Sequence, residues 1–181
     1  ASGGVTCVAT GNTHVGDGSM SNVVGLSALH NTAYGYKSLC SLTCGDYNTA
    51  YGQALDTLTT GCLNTAVGYR SMTGLTTGNE NTAVGYGTMC CATTAVDNAA
   101  FGYGALAAVT TGIRNTALGR SALGKNSASY NTGVGYVALY CNTSGASNNG
   151  FGYGVMYYNT TGNFNTAAGS SALCSNTTAS C

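Results

Sequence analysis

The chain of 181 residues has no proline and no tryptophan, only ten charged side chains, and no long apolar run. Each absence removes a class of explanation. Five basic residues balanced by five acidic ones leave no electropositive footprint for nucleic acid and no basic face for a membrane surface. No stretch of about 18 apolar residues is present to insert into a bilayer as a helix. A 3.6-residue apolar period is not visible either, which argues against amphipathic helices. The two histidines, His14 and His30, stand apart from each other, from any Cys-x-x-Cys pair and from a Ser/Asp set, so neither zinc nor a catalytic triad is indicated. No glycine-rich loop leads to a phosphate-binding lysine. A net charge of zero favours association over dispersal. Since the chain begins at Ala1, we read it as a mature or trimmed product.

What is abundant is glycine, 28 residues, and much of it is periodic. Gly35, Gly52, Gly68, Gly85, Gly102, Gly119, Gly135, Gly152 and Gly169 follow one another at steps of 16 or 17 residues. Around each runs one phrase: Asn-Thr-Ala, an apolar residue, Gly, and then Leu or Met after three more residues, as in Asn81 to Met89. A unit this short cannot bury its own apolar side and must stack on copies of itself. The expected fold is an all-β parallel solenoid, a β-roll of about nine 17-residue turns, with residues 1–30 as an irregular capping turn and 31–181 as the repeat body. Two compressed copies of the phrase, ending at Gly16 and Gly25, mark the cap.

In such a roll, residues one period apart lie in columns. The column before each glycine, Tyr34, Tyr51, Val67, Val84, Phe101, Leu118, Val134, Phe151 and Ala168, is wholly apolar and is expected to face inward, with the Leu39 to Leu173 column opposite. Ala33, Ala50 and their equivalents take the other face of the strand; they either admit a neighbouring sheet or line a narrow roll. The Asn31 to Asn165 column suits a corner, with amides bonded from turn to turn. Tyr69, Tyr86, Tyr103, Tyr136 and Tyr153 form an aromatic ladder after the glycines, at least partly solvated because Gln53, Arg120 and Ser170 interrupt it. Adjacent threonines such as Thr76-Thr77 are expected to point opposite ways and leave one outward column.

Before the threonines runs a column read as Leu42, Leu58, Leu75, Ala92, Val109, Lys125, Asn142, Asn159 and Asn176. Its last three members open the only N-x-S/T triplets in the chain, so glycosylation is expected at Asn142, Asn159 and Asn176, and with it an outward column. The same logic makes Leu42, Leu58, Leu75 and Val109 an exposed assembly ridge. Nine cysteines suggest disulfides and an oxidising compartment. Glu80 and Asp97 stack one period apart with Arg114 beyond them; the pair has the makings of a glycosidase dyad or a calcium site, but is read as a surface ladder neutralised by Arg114.

The phrase from Asn115 through Leu123 resembles tandem repeats of viral tail-fibre-like proteins and, more distantly, the head repeats of trimeric autotransporter adhesins. The resemblance spans residues 12–173 and implies a parallel β-roll, surface display, frequent trimerisation and adhesion. The 17-residue turn is longer than the adhesin unit, and neither the cysteines nor the acceptor triplets belong to that pattern. These readings converge on a non-enzymatic subunit of an extracellular filament or fibre. It would need no cofactor or metal and would assemble with itself through end stacking and lateral contacts. An adhesive fibre binding a receptor or glycan is the alternative. An ice-binding protein and a solenoid glycoside hydrolase are weaker candidates.

Overall fold

The computed structural model describes residues 6–7, 11–23 and 27–180. Eleven short strands form one sheet in sequence order. β1 (Thr6–Cys7) pairs antiparallel with β2 (Thr13–Val15). From there every pairing is parallel: β3 (Thr32–Tyr34), β4 (Thr49–Tyr51), β5 (Thr65–Val67), β6 (Thr82–Val84), β7 (Ala99–Phe101), β8 (Thr116–Leu118), β9 (Thr132–Val134), β10 (Asn149–Phe151) and β11 (Thr166–Ala168). Equivalent residues are in register, Val67 beside Val84 and Val84 beside Phe101, so the fold is a β-solenoid with about 17 residues per turn.

Within residues 1–30, expected as an irregular capping turn, the chain already joins the sheet. β2 already pairs in register with β3 at a 19-residue step, and Met20 is buried with the same left-handed backbone as the Leu/Met column. The second compressed phrase ends at Gly25, which lies outside the described residues.

The strand faces are the reverse of the expected ones. Ala33, Ala50, Ala66, Ala83, Ala100 and Ala117 are completely buried, while Tyr34, Tyr51, Phe101, Leu118 and Phe151 face solvent. The roll is narrow. An added Cβ at Gly133 would lie 3.1 Å from Leu123 Cγ, so the inward strand position has no room for a large side chain. Because strand side chains alternate, fixing the small residue inside forces the large one out.

The Leu/Met column does fill the core: Leu39, Leu55, Met72, Met89, Leu106, Leu123, Leu139 and Met156 are fully buried, and only Leu173 in the last coil is exposed. Every member has a left-handed φ, between 46° and 52° if Met20 is included. β-branched residues tolerate that conformation badly, which explains why leucine and methionine occupy this column and valine and isoleucine do not. The repeated glycine turns for a related reason: at Gly85, φ is 137°, and a Cβ would fall 2.6 Å from the carbonyl oxygen of Gly102 in the next coil.

A buried asparagine spine holds the corner. The Asn81 carboxamide oxygen accepts from both the backbone N–H (3.1 Å) and the side-chain amide (3.0 Å) of Asn98, one coil on. Asn81 Nδ2 in turn donates to the carbonyls of Asn79 (3.0 Å) and Ala95 (2.7 Å). This pattern runs from Asn12 to Asn165 with minor variation, so the buried amides of the spine are satisfied by one another and by the backbone.

Candidate functional site: the outer columns

The column expected to carry glycans and the assembly ridge points inward. Leu42, Leu58, Leu75, Ala92 and Val109 are fully buried, so they cannot form an exposed ridge. Asn142 and Asn159 are also fully buried, and Asn176 is partly so. The phase assigned to Lys125 is off by one residue. Asn126 occupies the column: its N–H donates to the Leu123 carbonyl, as Val109 does to Leu106 and Asn142 to Leu139, while Lys125 is exposed. The short step falls after Asn126, in the threonine corner. The side of the core that is leucine in the first coils thus becomes a second internal amide ladder. Asn142 Nδ2 donates to Asn126 Oδ1 (2.7 Å) and the Gly145 carbonyl (2.7 Å); Asn159 Nδ2 donates to Asn142 Oδ1 (2.9 Å), and Asn176 Nδ2 to Asn159 Oδ1 (3.0 Å). The nitrogen a glycan would occupy is spent inside the fold. Acceptor triplets signal exposure only where the asparagine is not the residue that the corner draws in.

The threonine corner is not extended strand, and both residues of the pair face out, as at Thr93 and Thr94, in place of the single outward column expected. In the first column the hydroxyls are used internally: Thr59 Oγ1 donates to the Thr76 carbonyl and Thr76 Oγ1 to the Thr93 carbonyl, each at 3.0 Å.

The tyrosine ladder is exposed, with Tyr69, Tyr86, Tyr103, Tyr136 and Tyr153 all near half accessibility. Tyr86 stacks on Tyr103 at 5.1 Å and Tyr136 on Tyr153 at 5.4 Å; Tyr69 lies tilted 5.7 Å from Tyr86. Arg120, which looked like an interruption, lies between the two halves. Its guanidinium is 5.3 Å from the Tyr103 ring centre and 5.9 Å from that of Tyr136, so the ladder continues through a cation–π step. The inner ring faces are therefore taken up by one another and by Arg120, while the edges and the outer faces of Tyr69 and Tyr153 are not covered by another ring of the ladder. A shallow recess beside the ladder is lined by Arg70, Tyr86, Cys90, Tyr103 and Ala107.

The acidic pair is placed as expected. Arg114 Nε contacts Asp97 Oδ2 at 3.2 Å, on the surface. A hydrogen bond with Asp97, and then the Asp97 charge, raise the Glu80 pKa; the hydrogen bonds from Glu80 and Arg114 lower that of Asp97. Two exposed carboxyls one coil apart, the second paired with Arg114, form a surface ladder. Among the described residues no group of three or more His, Cys, Asp or Glu side chains lies together.

Of the expected disulfides, none forms among the described residues; Cys181 and the Cys7 side chain lie outside them. Cys40, Cys44, Cys62, Cys90, Cys91, Cys141 and Cys174 are free thiols. Cys40, Cys90 and Cys174 share one column but sit three or more coils apart, and at about 4.8 Å per coil that distance exceeds a disulfide's reach. Cys90 and Cys91 approach to 3.8 Å between sulfurs without bonding, and burial together with the neighbouring thiol pushes the Cys90 pKa up, away from a reactive thiolate. His14 is bonded to Ser19 (3.0 Å), and His30 stacks on Tyr47 (5.1 Å).

No family model, curated protein or solved structure matches this chain.

Proposed function

We propose that this chain is a structural subunit of an extracellular filament or fibre, built by coil-on-coil stacking and by lateral contact between rods. The observation that carries this reading is axial repetition. Each coil gives the next the same backbone bonds, and along most of the rod the same Asn-to-Asn amide bond and often a ring contact. The face a coil presents upward therefore fits the face another coil presents downward; at the N-terminal end β1 lies against β2, so stacking of chains end to end requires β1 to move aside. Stability in such a stack is a sum of neighbour terms, which suits a mechanical element. Elsewhere Asp97 is paired with Arg114, burial pushes the Cys90 pKa up, and Arg120 lies over the Tyr103 and Tyr136 rings. The resemblance to surface-displayed fibre repeats supports the extracellular setting; the free cysteines do not.

Adhesion through stacking of sugars on the tyrosine faces is less well supported, because the inner faces of the ladder are already filled. Negative-stain images and fibre diffraction of the purified protein test the proposal. Fibres with an axial reflection near 4.8 Å are expected. Isolated short rods at every concentration would overturn it.

A further inference from the structure

Beside a second, mostly threonine column that runs from Thr32 to Thr166, the outward face of the sheet carries a continuous apolar ribbon. Tyr34, Tyr51, Phe101, Leu118 and Phe151 stand 38–50 % exposed along it, and Val67, Val84 and Val134 are half-buried between them. Exposed large apolar side chains in an unbroken row mark a contact surface. On the border that leads into the strands, the residue two before the strand's first residue is charged in three successive coils, at Glu80, Asp97 and Arg114; Arg120 stands on the opposite border. We infer that this face is the lateral contact between two copies of the chain lying antiparallel, with the twofold axis passing between β7 and β8. The inference rests on the reading of the chain as self-assembling and moves the lateral surface from the buried Leu42–Val109 column to the strands themselves.

Three observations select this occupant and orientation. The first is size. An axis between β7 and β8 overlaps β4 to β11; eight strands about 4.8 Å apart, and about 13 Å of chain from the corner residue to the last strand residue, give a shared face of roughly 440 Å², so that two copies bury about 900 Å², the size of a small contact between rods that repeats along a filament. The second is charge. An axis between β7 and β8 sets Asp97 of one copy against Arg114 of the other, twice, and leaves Glu80 opposite the Tyr130 hydroxyl. A parallel in-register pair, related by a twofold along the rod, would set Glu80, Asp97 and Arg114 against the Val84, Phe101 and Leu118 column and cover charge with apolar side chains. The third is shape. The same axis brings Phe101 to Leu118, Val84 to Val134, Val67 to Phe151 and Tyr51 to Ala168, so that large side chains mostly meet smaller ones.

The test combines photocrosslinking with sedimentation velocity on the full chain. With p-benzoylphenylalanine in place of Val67, irradiation is expected to join it to residues 149–153 of a second copy. Crosslinks to residues 61–69 of the second copy mean parallel packing and overturn the inference, as does a protein that stays monomeric and uncrosslinked. Leu118→Glu is expected to weaken association at least tenfold while the circular dichroism spectrum and melting temperature are kept, because the side chain is already in solvent; Phe151→Lys serves as a second variant should the first not fold. Unchanged association in a folded variant overturns the inference. Imaging separates this failure from that of the filament. Long single rods from Leu118→Glu together with paired rods from the wild type support both readings. Wild-type rods that are long but single defeat the pairing alone. Antiparallel dimers that never elongate defeat the filament alone.

Discussion

A leucine with positive φ is the unit on which the core depends. Leu106 has φ 49° and is fully buried. In an ordinary core, exchange of leucine for isoleucine or methionine costs less than about 1.5 kcal/mol. Here methionine is already used at Met72, Met89 and Met156 with the same φ, whereas isoleucine would place its branched Cβ in left-handed backbone. Leu106→Ile is therefore expected to lower stability by about 2–3 kcal/mol and Leu106→Met by under about 1 kcal/mol, compared by denaturant unfolding midpoints. The buried asparagines carry a second residue-scale cost. Asn81→Ala removes the acceptor for two donors of Asn98 and the donor to Ala95. At about 1–3 kcal/mol for each buried group left unpaired, a loss of at least about 3 kcal/mol is expected in the same measurement.

At the scale of the element, columns behave as single objects. The tyrosine ladder is held together in its middle by Arg120, whose removal leaves Tyr103 and Tyr136 facing a gap. Arg120→Ala is expected to cost about 0.5–1 kcal/mol and to weaken the near-ultraviolet tyrosine circular dichroism, while Arg120→Tyr, which completes the stack, retains both. Loss of signal in both variants alike would show that the rings are not coupled through that position. The acceptor column illustrates the same point from inside. One inward column is leucine in the early coils and asparagine from Asn126 onward, and both chemistries are consistent with burial because each asparagine amide is bonded by its neighbours in the ladder.

The whole molecule is a one-dimensional stack, and its tolerance should follow from that. Excision of residues 81–97, one full period from Asn81 to the residue before Asn98, joins Glu80 to Asn98 in the register that Asn81 had. Such a chain is expected to fold and to be shorter by about 4.8 Å, measured by small-angle scattering. Removal of ten residues instead breaks every column beyond the cut and should abolish cooperative unfolding.

The period, the solenoid, the Leu/Met core and the asparagine spine were determined by the sequence alone, because a column that keeps one chemistry through nine coils has a single environment. The Glu80–Asp97–Arg114 ladder was legible for the same reason: residues one period apart must touch. The tertiary structure decided which way the ambiguous columns point. Both faces of the strand are apolar, Ala on one and Val, Tyr, Phe or Leu on the other, so hydrophobicity could not choose between them; the width of the roll could, and it admits only the smaller. Leu58 and Asn142 share a column whose members disagree in chemistry, and an acceptor triplet is a statement about sequence that carries no direction. Left-handed turns at the corners set that direction, and they turn both residues into the core.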